Sequence, residues 1–226
     1  MESKIIKAVL FDLDGTIIDT EKYYRLHWPR AFAKFGYTIT DEQGLGMRSL
    51  GNPYVEEYLQ NIFGKKIETT EIKNYARSLV DESVRENGLE LKDGVVDCLE
   101  FLKTKNVKIA IVTATAIERT EKYVKEAKLE EYIGDVISAK NVPHGKPAPD
   151  VYLTACEKLN VKPEETIAVE DSPNGVMSAS RAGCTVVMVP DQTEADEELA
   201  KLLFGNLKSL KEFEKFVTNQ KIVFIN

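Results

Sequence analysis

Two aspartates stand two residues apart at the end of an apolar run, in Phe11-Asp12-Leu13-Asp14-Gly15-Thr16. Carboxylates this close repel one another and resist losing water, so a bound cation or a shared proton is the natural resolution. Taken alone, Asp14-Gly15 reads more simply as a turn that reverses the chain. Three further motifs change that balance: Val112-Thr113-Ala114-Thr115, Gly145-Lys146-Pro147 and Val169-Glu170-Asp171-Ser172. Each falls where an apolar run meets a helical pattern. A hydroxyl, a lysine and two pairs of acids brought to one place make a site for a hard divalent cation and a phosphate group.

The elements that must bring them together follow from apolar periodicity. Runs of strand length recur at 7–11, 107–112, 135–138, 166–169 and 185–189, alternating with helical patterns. After Gly94 the spacing Val95, Leu99, Leu102 predicts a helix. Thr115-Ala116-Ile117-Glu118 reads as a capping box opening another, and Ser172-Pro173 as a cap with a first-turn proline, closed by Gly183. Strands joined by helices imply a parallel sheet covered on both faces, and such sheets bind ligands at the carboxyl ends of their strands. All four motifs lie on that rim.

Between Asp19 and about Asn87 the rhythm breaks. No strand run appears there, while helical stripes do, as in Tyr54, Val55, Tyr58, Leu59, Ile62 and then Ile72, Tyr75, Leu79. The expectation is an α/β core built from residues 1–18 and 92–226, with a helical cap inserted over 19–91. The tail Lys221-Ile222-Val223-Phe224-Ile225 reads as a terminal strand that pairs either at a sheet edge or with another subunit.

Composition bounds the partners. The 226 residues carry 30 Lys and Arg against 37 Asp and Glu, a formal charge of -7, the wrong sign for broad attraction to a phosphate backbone. Nucleic acid is therefore not expected, whereas a cation and a few local donors can still reverse the potential inside one cleft. Cys98, Cys156 and Cys184 are odd in number and far apart, which suggests neither a disulfide framework nor a zinc site. Met1-Glu2-Ser3-Lys4 runs directly into a strand pattern and no stretch approaches 18 apolar residues, so no membrane association and a cytoplasmic location are expected.

The ordered set Asp12-Leu13-Asp14-Gly15-Thr16, Thr113, Gly145-Lys146-Pro147 and Glu170-Asp171-Ser172-Pro173-Asn174-Gly175 resembles the haloacid dehalogenase superfamily across the whole core. The helical insertion resembles the cap of the subgroup containing phosphoglycolate phosphatases, pseudouridine-phosphate phosphatases and β-phosphoglucomutases. The resemblance implies a Rossmann-like core and a Mg²⁺-dependent phosphatase acting on a small phosphorylated metabolite, a sugar or nucleoside phosphate. It implies that Asp12 is the nucleophile and that Asp14 is the acid/base, lending its backbone carbonyl to the metal. Asp171 would be the second carboxylate on Mg²⁺, with Glu170 supporting it. Thr113, the amide of Ala114 and Lys146 would hold the phosphoryl oxygens. The chemistry agrees with this division, since an attacking carboxylate must be ionised and a proton donor needs a raised pKa.

The same site can pass its phosphoryl group to water or to a sugar. In β-phosphoglucomutases a histidine stands twelve residues after the nucleophile, where this chain has Tyr24, and the mutase's Lys-Asn pair is replaced by Ala116-Ile117. Both departures favour water as acceptor over mutase activity. His27, three residues on, lies in a helical pattern and reads as a packing or surface residue, and His144 as a loop residue. Arg48 reads equally as a contact for an anionic substrate group and as a solvated loop residue, with Glu21, Tyr24 and Asn52 as weaker candidates. A phosphate-receiving signalling domain fits poorly, being about half this length, and nothing supports a catalytically silent binding protein. The assembly is expected to be a monomer or weak homo-oligomer.

Overall fold

In a computed structural model that describes residues 3–225, the centre of the molecule is the strand β2 (Ala8–Phe11), whose four residues are all fully buried. Its alternating side chains face opposite ways. Val9 and Phe11 join a cluster that includes Val95, Leu99 and Leu102 of α5 (Val95–Thr104) and Phe213 of α10 (Phe213–Asn219). Ala8 and Leu10 pack instead with Val151, Tyr152 and Ala155 of α7 (Asp150–Lys158) and Val176 and Ala179 of α8 (Pro173–Ala182). A strand apolar on both faces is what a sheet with helices on each side requires.

Six parallel strands stand in the order β4 (Asp135–Ser138), β3 (Lys108–Thr113), β2, β5 (Thr166–Glu170), β6 (Thr185–Met188) and β7 (Gly205–Asn206). The register sets Phe11 beside Ile111 and Val169, so the carboxyl ends of β2, β3 and β5 form one rim. The five strands expected from the sequence are present. Two were missed, β1 (Lys4–Ile6) and the two-residue β7, because runs this short carry no periodicity. The C-terminal strand β8 (Ile222–Phe224) pairs in parallel with β1 of the same chain, and Phe224 meets Phe101 edge-on.

Between β2 and α5 the described residues form four helices and no strand: α1 (Glu21–Lys34), α2 (Asp41–Gly46), α3 (Tyr54–Phe63) and α4 (Thr70–Asn87). They share a hydrophobic cluster of their own, including Phe32, Met47, Val55, Leu59 and Ile72. The fold is thus an α/β parallel sheet with an inserted α-helical bundle. Two connections join bundle to sheet and run side by side, Ile18 bridging Leu91 while the Asp19 amide donates to the Glu90 carbonyl and the Lys92 amide to the Ile17 carbonyl, each at 2.9 Å.

Helix termini confirm part of the expected punctuation. Ser172 accepts from the Gly175 amide at 3.2 Å, and Gly183 ends α8 in the left-handed region at φ 89°. The capping box expected at Thr115 does not form. Helix α6 (Ile117–Glu126) begins after Ala116 with no side-chain cap, because the Thr115 hydroxyl is taken by Asp14.

Candidate active site

Asp12 follows β2 directly, its amide donating to the Val169 carbonyl at 2.9 Å, so pairing with β5 extends to this residue. The chain then closes a tight loop in which the Ile17 amide donates to the Leu13 carbonyl and the Gly15 amide to that of Ile18. Gly15 sits at φ 86°, and a Cβ there would lie 2.3 Å from Asp171 Oδ2. Backbone conformation and space both demand glycine. The turn reading of Asp14-Gly15 therefore holds, and the same turn carries both aspartates.

Behind Asp12 lies Lys146, which is fully buried. Its ammonium donates to Asp12 Oδ1 at 2.5 Å, to Glu170 Oε1 at 2.6 Å and to the Val112 carbonyl at 3.0 Å, which uses all three protons. The hydroxyl of Tyr152 also donates to Glu170 Oε1. Burial works against the charge on Lys146, but the adjacent Asp12 and Glu170 outweigh it and raise its pKa. Lys146 does not border the cleft described below; it supports Asp12 from beneath.

Oxygen atoms of Asp12, Glu170 and Asp171 lie within 4.8 Å of one another, all three residues being buried. Burial pushes the Asp12 carboxyl well up against the opposing pull of Lys146, and pushes Asp171 up to about 7 against that of Arg48. Glu170 Oε2 and Asp171 Oδ1 have no hydrogen-bond partner. A tight, buried, all-oxygen donor set with unpartnered lone pairs fits a hard divalent cation such as Mg²⁺.

Asp14 stands at the edge of this cluster. It accepts from the hydroxyls of Thr20 at 2.5 Å and Thr115 at 2.7 Å, one on each carboxylate oxygen. Thr113 ends β3, and its hydroxyl oxygen accepts from the Thr115 amide at 3.0 Å, leaving its own proton free to donate. Ala114 follows, half-buried on the cleft wall.

A cavity of about 800 Å³ separates this rim from the helical bundle, with Asp12, Asp14, Thr113 and Ala114 on one side and Tyr24 and Trp28 among the residues opposite. Arg48 is buried and crosses to the rim, where its guanidinium meets Asp171 and reaches Thr193 Oγ1 at 3.1 Å and Glu21 Oε2 at 3.5 Å. Of the two readings of Arg48, the solvated loop residue is excluded by this burial. Asn52 also lines the cavity. His27 is turned away, 2.8 Å from Ser83 Oγ within the α1–α4 packing, and His144 is an exposed loop residue.

Sequence reasoning missed Thr20, Thr115, Tyr152 and Asp191. Asp191 is half-buried beside Gly15, pairs with Lys92 at 2.7 Å and leaves Oδ2 unpartnered. A signal existed only for Thr115, two residues past Thr113 on the same strand exit.

Residues 9–189 match the family described as haloacid dehalogenase-like hydrolase. A phosphorylated carbohydrates phosphatase of Thermotoga maritima is 33% identical over 180 residues, covering 79% of this chain and 82% of the relative. A validoxylamine A 7'-phosphate phosphatase of Streptomyces hygroscopicus is 30% identical, with 87% and 92% covered. The fold is matched by the crystal structure of a β-phosphoglucomutase from Clostridium difficile at a TM-score of 0.80, with 20% identity over 96% of this chain and 97% of the other.

Proposed function

The chain belongs to the haloacid dehalogenase-like hydrolase family, and from that premise we propose that it is a Mg²⁺-dependent phosphatase that releases phosphate from a small metabolite of the sugar or nucleoside phosphate class. The observation that carries this reading is the cluster of Asp12, Glu170 and Asp171 oxygens within 4.8 Å, with Asp14 at its edge facing the cavity. Residues 1–18 and 92–226 act as the catalytic core and 19–91 as a cap. No helix among the described residues is long and apolar enough to cross a membrane; a cytoplasmic enzyme is the reading proposed.

Asp12 attacks phosphorus while Asp14 gives a proton to the departing oxygen, so the alcohol leaves and an aspartyl-phosphate forms. Asp14 then takes a proton from water as that water attacks phosphorus, which frees Asp12 and releases phosphate. Thr20 and Thr115 keep the Asp14 carboxyl aimed at the cleft. The Thr113 hydroxyl and the Ala114 amide face the phosphoryl oxygens, and Lys146 keeps charge balance behind Asp12. Asp12, Asp171 and the Asp14 carbonyl, supported by Glu170, would hold Mg²⁺, which would supply the positive charge that lets an anionic nucleophile approach an anionic phosphate.

Water is the acceptor because the group opposite Asp14 is a poor base for a sugar. Burial, reinforced by the charge of Asp14, raises the Tyr24 phenol above its ordinary value, so it stays neutral and cannot take a proton from a hydroxyl. The test is phosphate release from a phosphometabolite panel with Mg²⁺. Asp12→Asn is expected to lower kcat by at least about 10³-fold with the fold intact. Undiminished release by that variant would overturn the mechanism, and conversion of glucose 1-phosphate to glucose 6-phosphate would overturn the choice of acceptor.

A further inference from the structure

Cys98, Cys156 and Cys184 stand far apart in the chain, and all three are free thiols. The fold parts one of them from the other two. Cys98 is buried with Val9 and Phe11 on one face of the sheet, whereas Cys156 of α7 and Cys184 pack with Ala8 and Leu10 on the opposite face.

Strand register explains why two thiols meet there. Ile167 of β5 stands beside Thr185 of β6, so the residues before them, Thr166 and Cys184, are neighbours in one row. Side chains alternate along a strand, and Ala168 and Val186, two residues further on, both pack with α7. Thr166 and Cys184 therefore face α7 as well. Cys156 descends onto this row, its Sγ 3.7 Å from Thr166 Oγ1. The two thiols are within hydrogen-bonding reach. The Cys184 S–H donates to Cys156, which lowers the pKa of Cys156 against its burial and the charge of Glu164, and raises that of Cys184. A sulfur whose thiolate is favoured, set beside a second thiol, is the arrangement that oxidises as a pair.

We propose that Cys156 and Cys184 form a modification site, a dithiol that a low-molecular-weight disulfide oxidises reversibly to an internal disulfide bond joining α7 to the entry of β6. The proposal stands independently of the phosphatase reading. Cys184 is half-buried while Cys156 is only 2% exposed, so the reagent enters at Cys184. Cys156 loses its proton to water and takes that of Cys184, whose thiolate attacks one sulfur of the reagent. The reagent's S–S bond breaks, and the departing thiolate is protonated by water. Cys156 then attacks the Cys184 sulfur and displaces the second half of the reagent, which carries off the Cys156 proton. Two electrons and two protons thus pass from the protein to the reagent, which leaves as two thiols. Such a bond is transient in a reducing compartment, which suits the cytoplasmic location proposed above. It tethers α7 one turn from Tyr152, whose hydroxyl donates to Glu170, so oxidation fixes the helix that supports the acidic rim.

The experiment incubates the full chain with oxidised glutathione, then unfolds it, alkylates the remaining thiols and weighs the intact chain. Chain kept in dithiothreitol should take up alkyl groups on all three cysteines. The oxidised chain is expected to lose two of these, retaining Cys98 alone, and to regain them in dithiothreitol. A tryptic digest should yield one linked pair of peptides holding Cys156 and Cys184, since Lys158 and Arg181 lie between them in the sequence. In Cys184→Ser both remaining thiols should stay open to alkylation. Three alkylated cysteines after oxidation of the wild type, glutathione that stays attached to Cys184, or a bond to Cys98 or to a second chain would each overturn the proposal.

Discussion

Lys146 touches Asp12 and Glu170 at once with no exposure to solvent, so its charge is structural before it is chemical. Removing one partner of a buried ion pair leaves the others uncompensated, and here two carboxylates would be left. Lys146→Met is therefore expected to lower the unfolding free energy by about 3–5 kcal/mol in metal-free buffer. A urea midpoint equal to that of the wild type would show that the ion triad contributes nothing to stability. The same residue illustrates what a motif can carry. Gly145-Lys146-Pro147 was readable as a site lysine because it precedes a helix at the active rim, but its position beneath Asp12 was not, since depth within a sheet depends on three strands far apart in the chain. Thr115 shows the reverse error, for its spacing to Glu118 matched a helix cap while a carboxylate from another strand claimed its hydroxyl.

The two connections between bundle and core are laced with charge. Burial tends to raise the Asp19 carboxyl, yet the hydrogen bond from Lys22 and the charge of Lys92 outweigh it and hold Asp19 below the usual carboxylate range. A depressed folded-state value means stabilisation that is complete above the unfolded value, near 4, and lost as pH falls through the folded one. Asp19→Asn should therefore be less stable than wild type by up to about 1 kcal/mol at pH 7, with the two curves converging once pH has fallen through the folded-state value of Asp19. A gap that persists in acid, with Asp19 protonated in both states, would rule out the ion pairs as its source. Loop and core also meet through two glycines: the Gly51 amide donates to the Lys146 carbonyl at 2.8 Å, the Gly145 amide to the Asn52 carbonyl at 2.9 Å, and a Cβ on Gly51 would lie 2.5 Å from Gly145 Cα. Backbone cannot yield as a side chain can. Gly51→Ala should push the loop bearing Arg48 off the core and reduce kcat/KM about tenfold or more, with little change in the urea midpoint. Wild-type kinetics in that variant would mean that the contact plays no part in turnover.

Across the whole molecule, the bundle buries a hydrophobic cluster of its own while Val80 and Val84 of α4 pack into one of the sheet's, and bundle and sheet share one cleft. A cation bound only by the folded rim must stabilise it, by about 2.7 kcal/mol at a hundred times its dissociation constant. Thermal unfolding should therefore shift upward with Mg²⁺ in the wild type, and by much less in Asp171→Asn. Equal shifts in both would place the ion elsewhere. The parallel sheet, the interrupted core and the four motifs on its rim were legible without coordinates, because an apolar strand ends where its polar residues begin and such ends coincide in a parallel sheet. Short-range pattern also exposed the helical insertion and the glycine and proline breaks. Only the tertiary structure placed Arg48 against Asp171, stationed Thr20 and Thr115 on Asp14, brought Asp191 beside Gly15, and paired β8 with β1. These depend on how the bundle packs against the sheet and on pairings across the chain, and a spacing rule in one dimension holds no information about either.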